Sequence, residues 1–222
     1  MSHRRYPVLA LLAALLAVLM PGCSGGEELP DGAQLLSRSA ESMRGISSAR
    51  FDLDIEGTGS GLPIRGAQGR LTREGDADGT ATLDQGQQVS ELRFVLTGDT
   101  LYLQGPTGGF QRVPAGFASS VYDPSVILDA QRGVPALLAN GTQPVTEARE
   151  AVGGTDAYRV TATFPRSVLS GLVPGLVEDA KGQVWIGAAQ PHLLQARFPL
   201  AGGTVTVRLS EFDAPVDITP PS

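Results

Sequence analysis

Short strand patterns separated by turns constrain the fold of this chain more than any other feature. In the first pattern Phe51, Leu53 and Ile55 alternate with acidic residues, as in a strand with one buried and one wet face. Four more patterns follow after turns rich in Gly and Asp, at about 66–74, 79–85, 88–97 and 100–104. Strands this close in sequence leave no room for crossover helices, so they predict an antiparallel meander.

The second half of the chain returns to strands. We predict them at about 143–150, 156–164, 182–188, 192–199 and 203–212. Together with the helices described next, roughly ten strands predict one antiparallel α+β domain.

Apolar residues at helical spacing predict four short helices. The first covers about 32–44 and is capped by Asp31. A second begins at Asp123, has Pro124 in its first turn and stops at Gly133. A third runs from Pro135 to Asn140, and a fourth covers 166–177.

Cys23, the only cysteine, ends a segment with the order of a bacterial lipoprotein signal. Arg4 and Arg5 precede an apolar run that is shorter than the roughly 20 residues of a membrane span. Met20-Pro21-Gly22-Cys23 is a lipobox-like sequence, which predicts removal of residues 1–22 and diacylglyceryl modification of the Cys23 thiol. The alternative is an ordinary secretion signal with a chance cysteine.

The remaining chain divides into a tether and a domain. Residues 23–31 are predicted to be a flexible, solvated tether, 32–216 the folded domain and 217–222 a loose tail. Loss of Arg4 and Arg5 from the 17 basic residues leaves 15, against 23 acidic residues, a net charge of −8. This balance argues against nucleic acid as a partner. The arginines are scattered singly along the sequence, and no polybasic patch for anionic headgroups is visible.

The sequence contains no catalytic constellation. Ser119, Ser120 and Ser167 lie near no histidine, and His192 is the only histidine left after cleavage. The acidic pairs Asp52/Asp54 and Glu178/Asp179 are more simply a solvated strand face and a helix end. We therefore predict no catalytic residue, no metal site and no cofactor.

The helices at 125–140 and 166–177 are aliphatic nearly all round. Such helices either pack against the sheet to complete a solid core or cover an internal cavity. The residue pattern favours a packed core, but it cannot show a void, because core and cavity linings use the same residues.

Seven stretches, in order along nearly the whole mature chain, resemble one family: the LppX/LprA/LprF/LprG lipoproteins of mycobacteria and related actinobacteria. Each motif is weak alone, and the ordered set carries the resemblance. Gly187 stands where that family would have an acidic residue, which concerns a turn. The stretches are the lipobox ending at Cys23, Ser42–Leu53, Tyr122–Asp129, Arg132–Asn140, Gly154–Ala162, Gly182–Gly187 and Thr204–Val216.

The resemblance implies a half-barrel of antiparallel strands with helices on its concave side, similar to LolA/LolB-type lipoprotein carriers. A hydrophobic cavity between the two layers would take the acyl chains of glycolipids or acylglycerols. The implied partners are an acylated lipid, the plasma membrane through Cys23 and a membrane transporter, and the implied state is a monomer. The residues expected to line the cavity are the inward positions of the strands and helices: Leu53, Ile55, Leu92, Phe94, Leu96, Val126, Ile127, Leu137, Leu138, Val160, Val168, Leu172, Val184, Ile186, Leu194, Phe198, Val205 and Val207.

Two other functions stay open on the sequence. A sensor or transporter accessory module of the cell envelope would have a packed interior and an exposed apolar patch. An enzyme would need a polar cleft with perturbed carboxylates or His192.

Overall fold

Eleven strands in one antiparallel sheet dominate the computed structural model, which describes residues 28–57, 64–84, 89–98, 100–114, 126–172, 178–200 and 202–221. The strands are β1 Ser48–Gly57, β2 Ile64–Thr72, β3 Ala77–Asp84, β4 Val89–Thr97, β5 Thr100–Gln104, β6 Gln111–Pro114, β7 Thr142–Val152, β8 Thr155–Phe164, β9 Ala180–Gly187, β10 Leu193–Leu200 and β11 Gly203–Ser210. Three α-helices lie in the same ranges: α1 Gly32–Arg44, α2 Val134–Ala139 and α3 Arg166–Leu172.

The sheet is built from two meanders. Strands β1 to β6 follow one another in space, as do β7 to β11, and β1 pairs with β11 to join the two halves. Leu53 faces Val207 across this junction. The predicted antiparallel half-barrel with short helices on one face is thereby confirmed.

The two faces of the sheet are chemically different. On the inner face Leu71, Val160 and Ile186 are completely buried, and they belong to a core that includes Leu35 and Met43 of α1. On the outer face, alternate residues such as Asp52 and Arg208 are exposed and ion-paired. The inner face is therefore the apolar, helix-covered face of the sheet, and the outer face is the charged one.

Helix α1 has the predicted bounds for the predicted reasons. The Asp31 carboxylate accepts the backbone N–H of Gln34 at 2.9 Å, which caps the first turn, and the helix ends at Gly45. Leu36, Ala40 and Met43 recur at helical spacing and are buried. This face packs against α2 and β7.

Two predictions about secondary structure were wrong. Residues 126–132 form turns rather than an α-helix, because the Asp129 carboxylate accepts the backbone N–H groups of Gln131 and Arg132. Asp123 and Pro124 lie outside the described residues. Strand β6 was missed because only four residues, Gln111–Pro114, carry it after a glycine-rich turn. The ten predicted strands are all present, with ends that differ by a few residues.

The ends of the chain are described in part. Residues 1–27, which hold the predicted signal and Cys23, lie outside the described ranges. The Thr146 hydroxyl donates a hydrogen bond to the Pro30 carbonyl at 2.7 Å, so the folded domain begins at the last residues of the predicted tether. No helix in the described part of the chain is both long and apolar enough to cross a bilayer.

Candidate functional site

A trough of small residues crosses the inner face of the first meander. Its floor is formed by Ala67 and Gly69 of β2 and by Gly79 and Ala81 of β3. Ala67 faces Ala81, and Gly69 faces Gly79, in the antiparallel register. At these four positions, two neighbouring strands therefore present little more than backbone on this face.

Large apolar side chains form the two walls of this inner-face trough. Phe51 and Leu53 of β1 stand opposite Gly69 and Ala67. On the other side, Phe94 and Leu92 of β4 stand opposite Gly79 and Ala81. Because neighbouring strands lie about 4.8 Å apart, the backbones of β1 and β4 are separated by about 14 Å. The arrangement is a shallow apolar channel between two raised walls.

The trough lies between two packed clusters. At one end Leu71 and Ala77 are completely buried in the main core. At the other end Ile55 and Val205 form a small second cluster, with Leu172 of α3 packed against it. Ala67, Ala81 and Leu92 belong to neither of these clusters of described residues, and all three are half-buried. This middle section is where a guest side chain or ligand would find apolar walls.

The predicted lining residues separate into two groups. Some have side chains in contact with other protein side chains and are almost fully inaccessible: Ile55, Val126, Leu137, Leu138, Val160, Val184, Ile186, Phe198 and Val205. The others are half-buried and lie at the edges of the clusters or on the trough walls: Leu53, Leu92, Phe94, Leu96, Ile127, Val168, Leu172 and Val207.

Leu194 is half-buried and belongs to neither core cluster of the described residues, whereas its neighbour Leu193 pairs with Ile186. A β-bulge shifts the register of β10 between Leu193 and Gln195, so that Leu193 faces Ile186 on the inner face. Leu193 is buried in the main core, and Leu194 is the extra residue of the bulge. The inserted residue inverts the alternation that the sequence predicts.

Four trough residues were missed by the sequence reasoning: Ala67, Gly69, Gly79 and Ala81. The available signal was Gly and Ala at alternate positions of two consecutive strands. Glycine inside a strand marks a place where a ligand or another backbone approaches closely. The predicted lining contained only large apolar residues, so these four small residues were left out of it.

One end of the sheet collects several features of the site. We call it the lower end: according to the antiparallel register, strand β1 ends there, and strands β2, β4 and β7 begin there. Val89 and Val145, the two exposed large apolar side chains in the described ranges, both lie here, at 68% and 59% exposure. A rim pocket of about 750 Å³ lies at Val89, whereas Val145 is on β7 at the other edge of the sheet. The pocket is lined by Val89, Ser90, Glu91, Arg93, Gln104, Gly105, Pro106 and Gly108.

The described residues that were weighed as catalytic candidates make packing, ion-pair or capping contacts. The His192 ring packs on Phe212, with centroids 4.6 Å apart, and burial lowers the pKa of His192 against the opposing effect of the Asp213 carboxylate. Asp52 pairs with Arg208, and Asp179 accepts the backbone N–H of Arg166 at the start of α3. Ser119 and Ser120 lie outside the described residues.

Three arginines that are far apart in sequence meet on the outer face. Arg50, Arg70 and Arg93 line a pocket of about 380 Å³, because β1, β2, β3 and β4 are consecutive in the sheet. These arginines are scattered singly along the sequence, and the pairing of the strands brings them to one pocket. Across the described ranges, no group of three or more His, Cys, Asp or Glu side chains could hold a metal ion.

Comparisons with known proteins support one family. The profile of the LppX_LprAFG lipoprotein family matches residues 31–218. The lipoarabinomannan carrier protein LprG of Mycolicibacterium smegmatis is 34% identical over 234 residues, covering 100% of this chain and 99% of that protein. The putative diacylated glycolipid transporter LprF of Mycobacterium tuberculosis is 26% identical over 238 residues, covering 96% of this chain and 90% of that protein.

Solved structures share the fold. LprF from Mycobacterium bovis matches with a TM-score of 0.79 at 25% identity, covering 87% of this chain and 98% of that one. LppX from Mycobacterium tuberculosis matches with a TM-score of 0.65 at 22% identity, covering 84% and 97%. The resemblance predicted from seven sequence stretches is thereby confirmed. The chain belongs to the LppX_LprAFG lipoprotein family.

Proposed function

We propose that this protein is a lipid-anchored carrier that holds the acyl chains of a lipid or glycolipid on its inner face and moves them through the cell envelope. Its relatives named as a lipoarabinomannan carrier and a putative diacylated glycolipid transporter support this class of cargo. The proposal makes the protein a binding and transfer protein rather than an enzyme.

The inner-face trough is the observation that carries the proposal. Its floor consists of Ala and Gly, while its walls present Phe51, Leu53, Leu92 and Phe94 as half-buried apolar side chains. A packed sheet face would normally place large side chains at such floor positions, because protein interiors are filled to crystal-like density. Small floor residues between large walls suit an extended hydrocarbon chain.

The energetics of transfer favour such a lining. Each buried methylene gains about 0.8 kcal/mol over water, but a bilayer offers the same gain. A carrier therefore needs a lining that matches the bilayer and still releases its cargo. Aliphatic and aromatic walls without hydrogen-bonding groups hold acyl chains without fixing one headgroup.

We assign the lining to the half-buried group of predicted residues together with the trough floor. The nearly inaccessible residues, such as Val160 and Val184, contact other protein side chains and serve the core. The half-buried group that we assign consists of Leu53, Leu92, Phe94, Leu96, Ile127, Val168, Leu172 and Val207.

Lipidation of Cys23 would place the domain close to its lipid source. The hydrogen bond of Thr146 to Pro30 lies on β7, near the lower end of the sheet. From there the chain back to Cys23 reaches at most about 25 Å. Exposed Val89 and Val145 at the same end support an orientation with the lower end toward the membrane.

The test is lipid loading measured by native mass spectrometry on protein purified from its own membrane. Ala81→Leu adds bulk to the trough floor, and Thr82→Leu places the same leucine side chain on the outer face one residue away. We expect bound lipid on the unchanged protein and on Thr82→Leu, and a several-fold lower loaded fraction for Ala81→Leu. Lipid-free protein, or equal loading of the two variants, would contradict a carrier that uses this trough. Loading without delivery in cells would favour an envelope sensor instead.

A further inference from the structure

Three arginines line one pocket on the outer face of the first meander, although the chain as a whole is acidic. Arg50 of β1 and Arg70 of β2 are direct cross-strand partners. Like charges placed opposite each other destabilise a sheet. Arg93 of β4 lines the same pocket, so three arginines lie around one open depression. We call it the arginine pocket.

Only part of this charge is neutralised by the protein. Arg70 makes a two-point pair with Asp78, with Nε to Oδ1 at 3.0 Å, and this hydrogen bond raises the pKa of Arg70. Glu211 adds a weaker favourable effect on Arg70. Within the described ranges, Arg50 and Arg93 have no hydrogen-bond or ion-pair partner, and both are exposed. Two of the three guanidinium groups are therefore available to a ligand.

The rest of the lining suits a small phosphorylated molecule. Gln68 and Thr80 add polar side chains, while Val95 and Phe110 give one wall an apolar surface. The pocket is an open depression of about 380 Å³, which admits a phosphate group carried by a small molecule or a lipid headgroup. Guanidinium groups are the preferred partners of phosphate oxygens, because they donate two parallel hydrogen bonds.

We propose that the arginine pocket binds a phosphate ester through Arg50 and Arg93, with Arg70 held in place by Asp78. The three arginines lie on the outer face of the sheet, but the pocket lining also includes Gly69, Gly79 and Phe94, which the inner-face trough shares. The phosphate ester could be a free metabolite or the headgroup of a lipid in a bilayer, and the two sources share the same recognition chemistry.

Binding experiments in two arms test the site and distinguish the sources. The first arm is calorimetric titration with glycerol phosphate, and the second is sedimentation with phosphatidylcholine vesicles containing phosphatidylglycerol as a minor component. Arg50→Gln and Arg93→Gln remove exposed charges that hold no structural contact. Arg197→Gln is the matched control, because Arg197 is an exposed arginine on β10 outside the pocket.

We expect arginine-dependent binding in at least one arm, with each pocket variant weakening it by about tenfold and the control by less than about twofold. Glycerol phosphate binding alone identifies a free ligand, and vesicle binding alone identifies a lipid headgroup. No binding in either arm would overturn the proposal. An equal loss in Arg197→Gln would also overturn it, since that result reports net charge rather than a site.

Discussion

Gly69 and Gly79 face each other across β2 and β3, and neither position tolerates a side chain. A Cβ on Gly69 would lie 2.0 Å from the Asp78 carbonyl oxygen, and one on Gly79 would lie 2.1 Å from that of Gln68. The pair keeps the trough floor low between Phe51 and Phe94. Backbone packing and a proposed ligand channel therefore depend on the same two residues.

Gly79→Ala should destabilise the domain. The new methyl group would force the two backbones apart, which we expect to cost about 2 kcal/mol of unfolding free energy. Urea denaturation followed by circular dichroism measures this loss. Gly105→Ala is the control, because no atom lies within 4 Å of its added Cβ. Equal midpoints for the two variants would show that the sheet accommodates the methyl group.

Most of the strands could be predicted from the sequence, because they alternate or are bounded by turn residues, and the half-barrel followed from the family resemblance. Phe51, Leu53 and Ile55 mark one face of β1 without any knowledge of its neighbours. The Gly- and Asp-containing turns between these patterns correctly predicted where almost every strand ends and the next begins. Strand β6 escaped because four residues are too short for a periodic pattern, and the helix predicted before Gly133 failed because the Asp129 side chain took the N–H groups that a helix would use.

The candidate site could be predicted only in part, since its shape depends on pairing between strands. Leu92 and Phe94 were expected on the inner face, and they lie there. Whether such a residue lines a channel or fills a core depends on what stands opposite, here Ala81 and Gly79. The arginine pocket required the same information, because Arg50 and Arg93 lie on strands that are distant in sequence.

The Asp213 carboxylate should make stability depend on pH. It accepts the Ser47 backbone N–H at 2.7 Å and the Ser47 hydroxyl at 2.8 Å, and these bonds lower the pKa of Asp213. A lowered folded-state pKa stabilises the protein above the unfolded-state pKa of about 3.9, and this stabilisation is lost as the pH falls through the folded-state value.

Asp213→Asn removes this charge and retains a residue that tolerates the positive φ of 56° at this position. We expect it to reduce the unfolding free energy by about 1 kcal/mol at neutral pH. The difference from the unchanged protein should shrink as the pH falls below 4, the region set by the pKa of an ordinary aspartate at about 3.9. Urea denaturation across pH values measures it. A difference independent of pH would show that the charge of Asp213 is not the cause.

Glu150 should stabilise the single tryptophan of the chain. The Trp185 indole N–H donates to Glu150 Oε1 at 2.6 Å, and Arg159 pairs with the same carboxylate at 3.1 Å. Trp185 is only 6% exposed, so Glu150→Ala leaves a nearly buried donor without its partner. We expect a loss of about 1–2 kcal/mol and a red shift of tryptophan emission as water reaches the indole. Glu56→Ala, on the exposed face of β1, should change neither quantity, and an unchanged emission for Glu150→Ala would contradict the bond.

Cys23→Ala should separate binding from delivery. The protein without its proposed anchor should still load lipid in solution, because the trough is formed by the folded domain. In cells it should fail to deliver lipid, because its lower end is no longer held near the membrane. Mass spectrometry of the mature N-terminus tests the modification itself. Normal delivery by Cys23→Ala would mean that the anchor only localises the protein.

Photo-crosslinking with a lipid that carries a diazirine in its acyl chain tests the central claim most directly. After irradiation, the modified residues are mapped by peptide mass spectrometry. If acyl chains bind in the trough, adducts should form on its walls and floor, at Leu53, Ala67, Ala81, Leu92 and Phe94. These adducts should be lost in Ala81→Leu. Adducts confined to the outer face, or an unchanged adduct pattern in Ala81→Leu, would contradict an acyl-chain site between β1 and β4.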